Sequence, residues 1–386
     1  MSVGSWIQRR ARELEIDSPL LAKAANLPEA RLRAIESDSE APTFDELRGI
    51  SRILGIDLAT FDPDEGGAPE KLPSVTTLMK SAGRFIPPTQ WRIVADAAEV
   101  AREIVTLEEL LGRTSRFDRL CGRFSPDGRF GERIWEDGRR LAERVRNHTA
   151  DSIPSMLKRC EELGIAVIET WLPQGISALC LVDRDHGPTI VINLAGHNES
   201  AFVRRFTLAH EICHILFDRH ELEPLQKFDR YGEEYDKPDV EKRADAFAIH
   251  LLAPEGPFKS HWKQMERFLP VEAILRKLME RFGVGFQATR SHAIHLGLLL
   301  EEDGRRLSTV ETAPTDSLVK SELDTTANEL FAPIPRERRG SLLRLTLEAL
   351  DRGLLGRSKA LELLAVTGDA FDDRSDVWRS ELGIGP

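Results

Sequence analysis

The chain has 386 residues, a formal net charge of −11 and a hydrophobic content of 41%, which is typical of a protein with two or three folded domains. Met1–Trp6 shows no charged segment followed by an apolar run, and no stretch reaches the roughly 20 apolar residues of a membrane span. The four cysteines form no C-x-x-C pair, so we expect reduced thiols. These features argue against a secreted or membrane class and predict a cytoplasmic protein with no membrane partner.

Residues 1–62 predict a separate helical domain. The apolar periodicity is broken at Ile16-Asp17, at Asn26-Leu27 and between Asp38 and Pro42. Ser18-Pro19 is typical of a helix cap followed by proline in the first turn. The helices expected between these breaks are 5–14, 18–25, 28–37, 43–54 and 57–61.

This domain resembles the Xre-type helix-turn-helix in the run from Leu20 to Leu27 followed by Arg31-Leu32 and Ile35-Glu36. The resemblance implies that helix 28–37 enters the DNA major groove, with Arg31 and Arg33 facing DNA. The charge is unfavourable, because residues 1–65 hold eight Lys/Arg against thirteen Asp/Glu and DNA affinity depends mainly on cationic phosphate contacts. We therefore expect DNA binding to require a homodimer or a partner, and a protein-docking role is the alternative.

Residues 63–75 are rich in glycine and proline and predict a linker, and residues 76–150 predict a helical connecting region that includes an amphipathic helix at 94–111. Between Arg113 and Arg146 the chain holds ten arginines and six acidic residues. A nucleic-acid surface is one interpretation of this segment. The acidic residues favour the other, which is a salt-bridged helix packed on the following domain.

Residues 151–300 predict a domain with a helix, a short sheet and then further helices. The expected helix is 154–163 and the expected strands are 165–168, 178–182 and 189–193. The last strand leads directly into the next helix. If that strand lies at a sheet edge, an extended peptide could pair with it.

The helix that follows contains His210-Glu211-Ile212-Cys213-His214, an H-E-x-x-H sequence. Two histidines four residues apart share one helix face, at a separation that suits one small cation. The intervening Glu211 would then lie beside the open position of the metal, where it can act as the general base. The flanking residues are apolar, which favours a buried metal site over two solvated surface histidines.

Two residues are candidates for the third ligand. His220 has the spacing of the metzincin pattern, but Phe217 replaces the glycine that would let the helix end there. Glu241 begins a second apolar-periodic helix that stops before Pro254, and packing of the two helices would bring it to the metal. Asp245, one turn further on, could accept the second N–H of a ligating histidine.

Together, the segment from Phe206 to His214 and the segment Glu241-x-x-Ala244-Asp245-x-Phe247-Ala248 up to Pro254 resemble the ImmA/IrrE family of metallopeptidase-like proteins. The resemblance runs from about Ile153 to Gly297. It implies a zincin-like domain in which His210, His214 and Glu241 hold zinc and Glu211 is the base. Cys213 and His250 depart from the family pattern without removing a ligand.

The fold expected for the whole chain is mainly α with a small β-sheet (α+β), comprising a helix-turn-helix bundle, the metallopeptidase domain and a helical carboxy-terminal region at 318–386. Residues 301–317 predict a polar linker, and further helices are expected at 339–350 and 358–364. The expected function is regulatory zinc-dependent cleavage of a specific protein such as a transcriptional repressor. The alternative is a DNA-binding regulator or antitoxin-like protein with a structural or inactive metal site. The candidate oxyanion donors are Tyr231, Tyr235, His197 and His250.

Overall fold

The computed structural model describes residues 2–56, 58, 90–125, 133–146, 152–219, 228–230 (backbone only), 239–307 and 329–384. Helices predominate around a small sheet, which confirms the α+β class predicted from the sequence. No described helix combines the length with the apolar composition that a bilayer crossing requires. The predicted linker at 63–75 and, apart from residue 58, the predicted helix at 57–61 lie outside the described residues.

Four short helices form the amino-terminal region, with boundaries within two residues of those predicted. They are α1 (Val3–Glu13), α2 (Ser18–Ala24), α3 (Glu29–Glu36) and α4 (Phe44–Leu54). The side chain of Asp17 accepts the Leu20 N–H at the start of α2, and Thr43 and Glu46 form a capping box at the start of α4. Gly55 ends α4 with a φ of 62°, a left-handed conformation that glycine adopts without strain.

Three helices connect this region to the sheet: α5 (Trp91–Leu110), α6 (Arg116–Arg123) and α7 (Ile134–Arg146). The arginine-rich segment was predicted to be salt-bridged and packed on the following domain, and α7 confirms this. Arg139 pairs with Glu143 at 2.7 Å on its exposed side. On its buried side, Arg146 donates to the carbonyl of Leu251 in the helix Asp239–Leu252.

The sheet has the strand order β1-β3-β2-β4, with β1 (Ala166–Thr170), β2 (Ile176–Asp183), β3 (Gly187–Asn193) and β4 (Phe228–Arg230). Strand β3 pairs in parallel with β1 and antiparallel with β2. Both sides of β3 are therefore occupied, so β3 is not the edge strand that pairing with a peptide would require. Strands β2 and β3 form an antiparallel hairpin. Strand β1 pairs with the other side of β3, so β3 lies between β1 and β2.

Further helices lie before and after the strands in this part of the chain. They are α8 (Met156–Glu162), α9 (Ala201–Cys213), a π-helical turn (His214–Asp218), α10 (Asp239–Leu252), α11 (Glu255–Met265), α12 (Val271–Phe282), α13 (Phe286–His295) and α14 (Glu301–Arg306). The existence of α14 corrects the prediction of a linker that starts at residue 301. Its first turn is acidic and its last turn is basic, an arrangement that the helix dipole stabilises.

The carboxy-terminal region contains α15 (Ser341–Asp351), α16 (Arg357–Leu364) and α17 (Gly368–Leu382). The first two match the predicted helices, whereas α17 was not predicted. Its polar sequence carries few apolar residues, but Phe371 and Trp378 are buried against Leu347 in a small core of their own. The side chain of Thr367 caps α17 by accepting the Ala370 N–H.

Two hydrophobic cores lie on opposite faces of the sheet. One joins α1–α4, α5 and part of α15 to the face that includes Leu179, Leu181 and Val191. The other joins α7–α13 to the face that includes Ala178, Cys180 and Ile190. The alternation along β2 assigns neighbouring residues to different cores, as the two-residue period of a strand requires.

A pair of buried histidines lies in the second core, away from the H-E-x-x-H sequence. His250 of α10 and His292 of α13 make an edge-to-face contact with ring centroids 4.8 Å apart, and the indole of Trp135 packs 5.8 Å from His250. The Nε2 of His292 donates to the carbonyl of Ala253 at 2.9 Å. Burial lowers the pKa of both histidines from 6.5 to about 3, with smaller contributions from Arg139 and His295 at His250 and from His250 and His295 at His292. These rings are therefore neutral core residues.

The two histidines predict that acid destabilises the fold. As the pH falls below 6.5, the unfolded chain binds protons that the folded chain does not, so each histidine lowers the free energy of unfolding by about 1.4 kcal/mol per pH unit down to its folded pKa. His250→Phe keeps a ring beside Trp135 and removes one titrating group. Urea unfolding at pH 7.5 and pH 5 should show a smaller loss of stability in this variant than in the wild type. Equal losses in the two proteins would contradict the prediction.

Candidate metal centre

Helix α9 and the π-helical turn that follows it place the two histidines of the H-E-x-x-H sequence side by side in the interior. His210 is 4% exposed and His214 is fully buried. Their Nε2 atoms face each other at 3.0 Å, as the four-residue spacing on one helix face predicts. The segment has neither proline nor glycine, and apolar residues on both sides of the motif hold it in the core.

Glu241, in the first turn of α10, reaches both histidines. Its carboxylate oxygens lie 3.3 Å from Nε2 of His210 and 3.6 Å from Nε2 of His214. Within the described residues, these three side chains form the one group of histidine, cysteine and acidic residues with the spacing of a metal site. The rival third ligand, His220, lies outside the described residues.

A glycine lets α7 press closely on α10 and so helps to fix the position of Glu241. A Cβ atom added at Gly138 would lie 2.6 Å from the Cβ of Ala246 and from the carbonyl oxygen of Arg243. A larger residue at 138 would therefore push α10 away from α7.

Each histidine has a carboxylate on its other ring nitrogen. The Nδ1 of His210 lies 3.0 Å from Oδ1 of Asp245, and the Nδ1 of His214 lies 2.6 Å from Oδ2 of Asp218. Asp218 is fully buried and its other oxygen accepts from Arg243 of α10, so it links the two helices. Sequence reasoning selected Asp245 and missed Asp218, although the i,i+4 spacing from His214 was a signal for it.

The donor set fits a divalent cation. Carboxylates on both Nδ1 atoms keep the protons there, so the two Nε2 atoms present lone pairs to each other. Two lone pairs at 3.0 Å beside a carboxylate repel one another unless a positive charge lies between them. The separations of 3.0, 3.3 and 3.6 Å are close to the roughly 3.3 Å expected between ligands of a tetrahedral ion with bonds of about 2.0–2.1 Å.

Glu211 lies next to His210 in the chain and is fully buried. One of its oxygens, Oε2, accepts a hydrogen bond from the thiol of Cys180 on β2, with Sγ 2.8 Å away. This contact attaches the glutamate to the central sheet. Nothing in the sequence pattern pointed to Cys180, because it is 31 residues away and lies inside an apolar strand.

The predicted DNA-facing arginines are both paired with acids. Arg31 donates to both carboxylate oxygens of Glu46 at 2.8 Å and also contacts Glu40, and Arg33 contacts Glu29. The hydrogen bonds between Arg31 and Glu46 raise the pKa of Arg31 and lower the pKa of Glu46 to about 2. The guanidinium of Arg31 is therefore already hydrogen-bonded to carboxylates of its own domain.

The candidate oxyanion donors do not converge on the histidines in the described residues. His250 lies in the core with His292, and His197 is exposed on a 3-10 helix (Gly196–Glu199) that precedes α9. Tyr231 and Tyr235 lie outside the described residues. The oxyanion donor is thus not assigned.

Residues 160–292 match the model of peptidase family M78, described as an IrrE N-terminal-like domain. The match covers about a third of the chain and includes His210, Glu211, His214 and Glu241. It points to a metallopeptidase of the IrrE/ImmA type. A comparison of the chain with curated proteins gives no match.

The geometry predicts that Glu241 is required for metal binding. Glu241→Ala should weaken zinc binding by more than the roughly 10- to 100-fold that loss of an outer carboxylate costs. Asp239→Ala is the matched control, because it removes an exposed acid from the same helical turn. His220→Ala should also leave the metal content close to that of the wild type. Elemental analysis after dialysis measures all four proteins, and the opposite order would favour His220 as the third ligand.

The two outer carboxylates should behave differently when each is changed to the amide. Asp245→Asn and Asp218→Asn should each lower zinc affinity about 10- to 100-fold, because each fixes the orientation of a histidine. Asp218→Asn should in addition destabilise the fold by roughly 3–5 kcal/mol, because it removes a carboxylate from the buried guanidinium of Arg243. Competition with a chelator and urea unfolding of the metal-free proteins measure the two effects. Equal loss of stability in both variants would contradict the prediction that only Asp218 also stabilises the fold.

Proposed function

We propose that this protein is a zinc-dependent endopeptidase that cleaves a specific protein, such as a transcriptional repressor. The observation that carries the proposal is Glu211, a buried carboxylate adjacent to the His210–His214–Glu241 group. A site that only stabilises the fold has no use for such a base and is usually closed by four protein ligands. Among the described residues this site has three, which leaves a position for a reactant.

Two histidines and one carboxylate form a ligand set that catalytic zinc uses, and the bound ion would supply Lewis acidity by polarising a peptide carbonyl and lowering the pKa of a water molecule. His210, His214 and Glu241 would hold it, and Asp245 and Asp218 keep the histidine protons on Nδ1. Glu211 accepts the proton of the attacking water and then delivers it to the leaving amine. Burial of Glu211 keeps bulk water from competing for that proton.

The amino-terminal region supports recognition of a protein partner rather than DNA. Arg31 and Arg33 are paired with Glu46, Glu40 and Glu29, so binding phosphates would require breaking those pairs. Residues 1–65 are also acidic overall. We therefore propose that α1–α4 help to select the protein substrate, and that a homodimer or a partner would be needed for any contact with DNA.

The base predicts the behaviour of a conservative variant. Glu211→Gln should bind zinc like the wild type but cleave no substrate, because an amide of similar shape cannot accept the proton of water. Each zinc-loaded protein is incubated with a lysate, and mass spectrometry of newly formed amino termini identifies the cleavage sites. We expect a small set of termini that the wild type produces and Glu211→Gln does not.

Asp239→Ala is the control for effects of purification and of substitution in general, because Asp239 is exposed on the surface of α10. It should produce the same termini as the wild type. If wild type and Glu211→Gln gave identical sets, the proposed peptidase activity would be wrong. Zinc bound with normal affinity would then indicate a structural site.

A further inference from the structure

The contact between Cys180 and Glu211 lies outside the set of residues that hold the metal. Both side chains are fully buried, and Sγ of Cys180 lies 2.8 Å from Oε2 of Glu211. An ionised carboxylate can only accept hydrogen bonds, so the thiol is the donor. The bond joins the middle of β2 to the last turn of α9.

The position of Cys180 is fixed from several sides. It lies in β2 opposite Ile190 of β3. Its side chain is buried in the core that includes α9 and α10. Its neighbours Leu179 and Leu181 are buried in the other core, against α5 and the amino-terminal helices. Because both faces of β2 are buried, the thiol cannot shift without moving the sheet.

Cys160 is a second buried cysteine in the same core. A buried cysteine is usually a small apolar residue that fills space. Cys180 differs because its thiol meets the oxygen of a buried carboxylate. A buried carboxylate needs hydrogen bonds to offset its lost hydration, and the final torsion of a glutamate is otherwise broad. A thiol is a weak donor, so it can orient the carboxylate and still leave it basic.

We propose that Cys180 is a positioning residue that fixes the orientation of Glu211 for proton transfer. The inference rests on the proposed peptidase function, in which Glu211 is the base. Loss of the thiol should lower kcat by roughly 10- to 100-fold, the scale of one hydrogen bond to a charged group, with little change in KM. Zinc binding should not change, because Cys180 contributes no ligand to the His210–His214–Glu241 group.

The kinetic test compares Cys180→Val with Cys180→Ser in the zinc-loaded full-length protein. Valine has a similar volume and no donor, whereas serine restores a donor at the same place. The probe is a peptide spanning a cleavage site that wild type cuts and Glu211→Gln does not. We expect low kcat in Cys180→Val, recovery in Cys180→Ser and normal zinc content in both. Cys160→Val is the matched control for removing a thiol from this core, and kcat in Cys180→Val equal to that of the control would overturn the proposal.

A second measurement needs no substrate. The infrared S–H stretching band of Cys180 is obtained by subtracting the spectrum of Cys180→Ser. It should lie at lower frequency in the wild type than in Glu211→Gln, because a neutral amide accepts a weaker hydrogen bond than a carboxylate. An identical band in the two proteins would overturn the inference even if Cys180→Val failed to fold. If the band shifts while no peptide is cleaved, the contact between the thiol and Glu211 stands and the peptidase function fails.

Discussion

The convergence of His210 and His214 on one point in the interior is the constraint that the rest of the structure depends on. Their Nε2 atoms are 3.0 Å apart, and carboxylates lie on their Nδ1 atoms. The carboxylates of Glu241, Asp218 and Asp245 contact the two rings, and Glu211 is next to His210 in the chain. Arg243 supplies one guanidinium, which contacts Asp218. Such a cluster has excess negative charge in a low-dielectric interior. A divalent cation held by His210, His214 and Glu241 would offset that charge.

Contacts around the cluster fix the positions of two helices and the sheet relative to one another. Asp218 and Arg243 join α9 to α10, and Gly138 allows α7 to pack closely on α10. Cys180 joins α9 to β2. The π-helical turn at His214–Asp218 places the buried carboxylate of Asp218 at Nδ1 of His214, and such turns often occur at functional sites. Each of these contacts acts on the position of a ligand or of the proposed base.

The far face of the sheet connects the site to the rest of the chain through α5. Arg52 of α4 pairs with Asp96 at 3.0 Å and contacts Glu99, while Arg338 pairs with Glu103 at 3.0 Å. Burial raises the pKa of Glu103 to about 7 despite the nearby Arg338. The amino-terminal helices and part of α15 thus share one core with β2 and β3.

Local patterns in the sequence were sufficient for the helix boundaries of α1–α4, for three strands and for the histidines of α9, because capping residues, side-chain periodicity and a four-residue spacing are properties of neighbouring residues. They also selected Glu241 and Asp245, whose spacing places both on one face of α10. The interior position of β3 and the partners Asp218–Arg243 and Cys180–Glu211 depended on how distant segments pack. Helix α17 escaped prediction because its burial comes from a small core that only tertiary packing creates. Tertiary structure alone decided these features, since a hydrogen bond between residues 25 or 31 positions apart leaves no local signal in the chain.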